Sequence, residues 1–195
     1  MTLALKADLA QILAEAFLEP DGDLKEALEV LLEAVPDPSL QAPLARMARN
    51  TLPPTDQSVE YARLFLHAKD TDIVHLCESV QARGHHMAPM VLEPLQAIYD
   101  EADIAIQEEL ATPPDHLGLE LACLSYLLGQ VIEGDLAEQG RFVELAQRLI
   151  REHLCPLLNA VAEQLPQVSA HPFYLAASEV AVTLMPEVEK ALAEI

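Results

Sequence analysis

Leucine- and alanine-rich segments with helical periodicity, separated by prolines, make up nearly the whole of this sequence. In the first segment, Leu5, Leu9, Ile12 and Leu13 fall on one face of a helix. Later segments repeat the pattern, and we find no run in which β-branched or aromatic residues alternate with polar ones, as a half-buried strand requires. The sequence therefore predicts an all-α fold of about nine helices.

The length of 195 residues fits one domain, which we expect to span residues 1–195. Two interruptions of the helical pattern are candidate hinges. Periodicity fails over residues 68–86, which we expect to form an irregular loop, and Gly134 breaks the pattern again. A hinge at either place would let protomers exchange helices, so the sequence leaves a monomer and a domain-swapped homodimer open.

The net charge of −21, from 32 acidic and 11 basic residues, bears on partners and location. It repels nucleic acids and anionic membranes and attracts basic peptides, although it also serves to keep a leucine-rich protein in solution. Residues 1–20 carry charges where a secretory signal is apolar, and the apolar run 121–132 is shorter than the roughly 20 residues of a membrane span. The three cysteines are scattered, as in reducing compartments. We expect a cytoplasmic protein that binds no nucleic acid and does not insert stably into membranes.

Residues 112–121, with the sequence TPPDHLGLEL, contain the residues that we consider for binding. A threonine followed by prolines and Asp115 predicts a helix with Thr112 as its N-cap, Pro113 as its first residue and Asp115 in its first turn. Asp115, His116 and Glu120 are expected on the side away from a core-facing seam of Leu117, Leu121, Leu124 and Leu128. Gly118 leaves room for a partner backbone. A structural cap and a binding patch both remain open.

The PPDHLGLEL sequence resembles the central motif of the TorD/DmsD/NarJ family, chaperones that help to assemble molybdenum-containing reductases and dehydrogenases. Further segments resemble the family in order and spacing: Tyr-x-x-Leu-Phe at 61–65, Glu-Ser-Val at 78–80, Arg-Gly-x-x-Met at 83–87, His-x-x-Pro at 153–156, and His-Pro-Phe-Tyr at 171–174. The chain departs from the family at Gln81 and Leu157, where aromatic residues are frequent.

The resemblance implies a TorD-like, non-catalytic protein that needs no cofactor or metal ion. Its partner would be the apo catalytic subunit of a molybdopterin oxidoreductase. It would bind the N-terminal segment of that subunit, in much of the family a twin-arginine signal peptide, and delay export until the cofactor is inserted. The expected peptide-binding residues are Asp115, His116, Gly118, Glu120, Tyr61, Glu78 and Tyr126. Asp115 and Glu120 would hold the arginines, the two tyrosines would line a groove, and Glu78 would lie in a loop over the ligand.

Two other classes of function remain as alternatives. A metal-dependent all-α hydrolase would have to use the His-x-Cys units at 75–77 and 153–155 or the His85-His86 pair, but residues two apart on a helix point to different sides. No His-Glu-x-x-His motif occurs. A generic helical adaptor for a basic amphipathic partner has the same composition, and only the ordered motifs distinguish it from the chaperone.

Overall fold

Helices account for most of the chain in a computed structural model that describes residues 1–18, 23–66, 73–106, 112–168 and 170–195. The α-helices in these ranges are α1 (Leu3–Phe17), α2 (Lys25–Ala34), α3 (Pro38–Arg49), α4 (Pro54–Tyr61), α5 (Glu78–Arg83), α6 (Pro89–Glu101), α7 (Leu117–Glu133), α8 (Leu136–Arg148), α9 (Cys155–Gln164) and α10 (Pro172–Leu192). The π-helical segments Ala62–Leu66 and Leu149–Leu154 extend α4 and join α8 to α9. The described residues contain no strand, and the predicted all-α fold is confirmed.

Local signals in the sequence explain where many helices begin. Proline is the first residue of α3, α4, α6 and α10, where its missing N–H costs no hydrogen bond. The side chains of Thr2, Asp37 and Asp135 accept backbone N–H groups at the starts of α1, α3 and α8. Prolines in this chain therefore mark several helix starts, although Pro43, Pro94 and Pro186 lie inside α3, α6 and α10.

The core lies between α7 and the helices on either side of it. Helix α7 packs against α1 and α8, and α10 packs against α3, α9 and α1. The predicted seam is buried, with no exposed surface at Leu117, Leu121, Leu124 and Leu128. These contacts cover one side of α7 and leave part of the opposite side open, including Tyr126.

The structure corrects two expectations about the elements around the motif. Helix α7 begins at Leu117, four residues later than predicted, because His116 and not Thr112 is its N-cap. The expected irregular loop at 68–86 contains α5 in its described part, while residues 68–72 lie outside the described residues. Gly134 does separate α7 from α8. The single domain, the two hinges and the exchange of helices stay predictions.

Candidate functional site

Asp115 is completely buried and holds the start of α5. Its backbone oxygen accepts the N–H of Glu78 at 2.9 Å, and its Oδ2 accepts the N–H of Ser79 at 2.7 Å. Helix α5 has Cys77 at its N-cap, and Cys77 provides no side-chain cap. Asp115 therefore supplies from another segment the carboxylate that an N-cap aspartate normally supplies locally. Its expected place in the first turn of its own helix was wrong.

His116 is the N-cap of α7 and connects this helix to the residues that precede α5. Its Nδ1 accepts the N–H of Gly118 at 3.2 Å, which caps the helix. His116 also forms an isolated antiparallel bridge with Cys77, in which the N–H of Leu117 donates to the oxygen of Leu76 at 2.8 Å. Burial lowers the pKa of His116 to about 4, although the nearby Asp115 carboxylate opposes this shift. The imidazole is therefore neutral near pH 7.

Glu120 points into the protein interior and not away from the core as expected. It has no exposed surface, and neither carboxyl oxygen has a hydrogen-bonding partner among the described residues. Burial raises the pKa of Glu120 well above its usual value, and the charges of Glu78 and Asp115 raise it further. These surroundings favour the protonated form of the carboxyl group, because no cation among the described residues compensates the charge of the ionised form.

Glu78 forms the other polar contact of this buried cluster. Its Oε2 lies 2.7 Å from Nδ1 of His153, and both side chains are buried. The contact connects α5 to the π-helical segment between α8 and α9. Glu78 therefore lies in a helix packed into the protein, and not in a loop over a ligand as expected.

Gly118 permits a close approach within the chain. A Cβ atom added at Gly118 would lie 2.6 Å from Cγ of Leu18 and 3.1 Å from its backbone nitrogen. These distances are too short for an alanine without movement of the end of α1. The neighbour that requires glycine is therefore part of this chain.

The two tyrosines expected to line a groove lie in different surroundings. Tyr61 is buried, donates its O–H to the oxygen of Phe17 at 3.1 Å, and packs against Phe65 with ring centroids 5.0 Å apart. Tyr126 is 41% exposed and lines a cavity together with Tyr99. Tyr61 is thus a core residue, and Tyr126 is the expected wall residue that is accessible.

Ser79 and Tyr99, which the sequence analysis did not single out, also hold the segments around Asp115 and His116 in place. Ser79 Oγ accepts the N–H of Ala88 at 3.1 Å and so fixes the start of α6. Tyr99 donates its O–H to the oxygen of Pro114 at 2.8 Å and fixes the segment before α7. The Glu-Ser-Val segment could have drawn attention to Ser79. No residue near Tyr99 in the sequence indicated a contact with Pro114.

The described residues contain no group of three or more histidines, cysteines, aspartates or glutamates arranged to hold a metal ion. The cysteines there are also poor nucleophiles, because burial raises the pKa of Cys77 to about 12 and that of Cys123 further. Among the helices described above, none combines the length and apolar character needed to cross a membrane.

The fold and the site together define an all-helical protein with a buried cluster around Asp115 and His116. We call these two residues, with the start of α5 and the start of α7 that they hold, the Asp-His junction. The sequence model of the nitrate reductase delta subunit family matches residues 19–163, which is most of the chain. The protein therefore belongs to this family of molybdoenzyme maturation chaperones, and the resemblance to the TorD/DmsD/NarJ proteins is confirmed. Among curated proteins, none matches the chain significantly.

Proposed function

We propose that this protein is a cytoplasmic, non-catalytic chaperone for the catalytic subunit of a molybdopterin oxidoreductase. It binds the N-terminal segment of the apo subunit and keeps the subunit from export or assembly until the cofactor is inserted. The observation that carries this proposal is the family match over residues 19–163, which includes the whole Asp-His junction. We further propose that the segment is a twin-arginine signal peptide.

The electrostatics of the chain support a basic ligand. A net charge of −21 attracts arginine-containing segments and accelerates the encounter more than it tightens the complex. The chemistry of the junction supports binding without catalysis, because the Nδ1 of His116 is occupied as a helix cap and Cys77 and Cys123 hold their protons. Reversible peptide binding needs neither an acid–base group nor a nucleophile.

Four of the seven proposed peptide-binding residues have different roles according to how far they are buried. Asp115, His116 and Glu120 contact other parts of the chain and have little or no surface for a ligand. We propose that they hold α5 and α7 in position for binding, and that Tyr126 touches the segment directly.

Co-expression with an apo molybdoenzyme catalytic subunit from the same host tests the proposal. The two proteins should copurify as a complex that is lost when the N-terminal segment of the subunit is deleted. Without the chaperone, the molybdenum content of the purified oxidoreductase should fall. If the full-length apo subunit does not bind and its molybdenum content is unchanged, the proposed function is wrong. Replacing both arginines of the segment by lysine tests the twin-arginine assignment separately.

A further inference from the structure

A cavity of about 390 Å³ lies between the C-terminal end of α6 and the open side of α7. Leu119, Ala122 and Tyr126 line it from α7, where their spacing places them on one helical face. Tyr99 and Ile104 line it from α6 and the residues that follow. Its volume is in the range of pockets that bind ligands, and its walls are mostly apolar side chains.

The cavity is connected to the Asp-His junction through Tyr99. The ring of Tyr99 lines the cavity, and its O–H holds the backbone oxygen of Pro114. Pro114 also lines a second cavity of about 230 Å³, beside the first half of α6. Met87 lies in that second cavity and is 55% exposed, and methionine adapts to apolar ligands of different shape. Two apolar depressions therefore adjoin the segment that precedes α7.

The charge around both cavities indicates the kind of partner. All lining residues come from the stretch 87–140, which contains no lysine or arginine. Arg141 and Arg148 of α8 approach this surface, but they already pair with Asp103 at 3.8 Å and Glu101 at 3.0 Å. The other carboxylates of the stretch include Glu93, which lines the second cavity. An acidic partner is repelled here, and a basic partner with apolar side chains is complementary.

We propose that this surface, with Ala122 and Tyr126 at its centre, binds the apolar part of the client's N-terminal segment. The basic residues of the segment then face the carboxylates of α6. The inference rests on the proposed function and adds to it the place where the segment docks. The recognition mode is an amphipathic segment whose apolar side chains enter a hydrophobic groove.

A tryptophan at position 126 reports directly on this contact, because the protein contains no tryptophan. The probe is a synthetic peptide with two adjacent arginines followed by a leucine-rich stretch. Its addition to the Tyr126→Trp variant should shift the tryptophan emission to shorter wavelength as water leaves the cavity. Val59→Trp is the matched control, since Val59 is 65% exposed on α4. Its emission should not change. A peptide in which serines replace the leucines should leave both variants unchanged.

A larger side chain at Ala122 should fill part of the cavity, because Ala122 lines it and is only partly buried. By fluorescence anisotropy, Ala122→Phe should bind the arginine–leucine peptide at least tenfold more weakly than the wild type. Ala42→Phe is the matched control, since Ala42 is exposed on α3, which packs against α2 and α10. Its affinity should equal that of the wild type, and circular dichroism should show both variants folded.

The negative results of these experiments distinguish an error in the docking surface from an error in the proposed function. If the peptide binds Ala122→Phe as tightly as the wild type and the emission of Tyr126→Trp does not move, the docking surface is wrong, while the copurification result keeps the proposed function. If emission shifts with protein concentration and not with peptide, the surface joins two copies of this chain and the inference is overturned. If neither the peptide nor the full-length apo subunit binds, both proposals fail.

Discussion

Replacing Glu120 with glutamine should stabilise the protein relative to the wild type as the pH rises above 4.5. Glu120 is fully buried without a hydrogen-bonding partner among the described residues, and its pKa in the folded protein lies well above the usual 4.5. In the unfolded chain the carboxyl group loses its proton near pH 4.5, whereas in the folded protein it keeps the proton to a higher pH. The folded state then binds more protons, so the free energy of unfolding falls with rising pH.

The size of this effect follows from proton linkage. One group that is protonated only in the folded state contributes about 1.4 kcal/mol per pH unit. Between pH 5 and 7 the wild type should therefore lose up to about 3 kcal/mol through Glu120, the limit that applies when the folded protein keeps this proton over the whole range. The loss ends at the folded-state pKa. A glutamine has nearly the same shape and does not titrate, so any cost of burying its amide is the same at every pH.

The assay is urea denaturation at pH 5, 6 and 7, with the difference between Glu120→Gln and wild type as the measured quantity. The difference is needed because His116 acts in the opposite direction. Its lowered pKa makes stability rise between about pH 4 and 6.5, which masks the effect of Glu120 in the wild type alone. Glu133→Gln, an exposed position on the same helix, is the control and should give a flat difference. Parallel curves for Glu120→Gln and wild type would show that Glu120 is ionised in the fold, and the reasoning would be refuted.

The junction yields three further predictions, each measured by chemical denaturation. Asp115→Ala should lower the free energy of unfolding by about 1–3 kcal/mol, because the N–H of Ser79 loses its acceptor; Asp115→Asn keeps an oxygen there and should cost less. Gly118→Ala should lower the free energy of unfolding by about 1–3 kcal/mol through its clash with Leu18. Adding Leu18→Ala should recover part of that loss. Purely additive effects of the two changes would contradict the close approach of Leu18 to Gly118. His116 should make stability fall as the pH drops from 6.5 towards 4, by up to about 1.4 kcal/mol per unit. His116→Asn keeps an acceptor for the helix cap, and its free energy of unfolding should decrease less between pH 6.5 and 4 than that of the wild type. An equal decrease in both proteins would exclude His116 as the cause.

The part of the fold that depends on local periodicity could be predicted from the sequence. The leucine seam of α7 is an example, because an apolar residue every three or four positions needs no knowledge of its neighbours. Helix α5 could not be predicted in this way. It has six residues, too few to show a period, and its cap is Asp115, which lies far along the chain. A capping bond between distant segments leaves no pattern that a local reading can detect.

The surroundings of the candidate site residues could not be predicted from the motif, and their role in binding stays a prediction. Helical spacing placed Asp115, His116 and Glu120 on the side away from the leucine seam, but this local pattern could not show that other segments bury Glu120. Burial raises the pKa of Glu120 and so favours the neutral form of its carboxyl group, which costs less to bury than the ionised form. Tyr61 was expected at a groove but lies in the core, because its ring packs against aromatic residues that only the tertiary structure brings together.

The position of Asp115 also decides which substitutions test peptide binding. Asp115 joins α5 to the start of α7, and Tyr99 joins the neighbouring Pro114 to the wall of the cavity. A change at Asp115 would loosen α5 and the start of α7, and α7 is one of the two helices that frame the docking surface. A loss of binding in such a variant could therefore not be assigned to a lost contact with the peptide. Ala122 and Tyr126 lie further along α7 with part of their surface open and no bond to the junction among the described residues. A loss of affinity at these two positions, at unchanged stability, is therefore the result that identifies the surface the peptide touches.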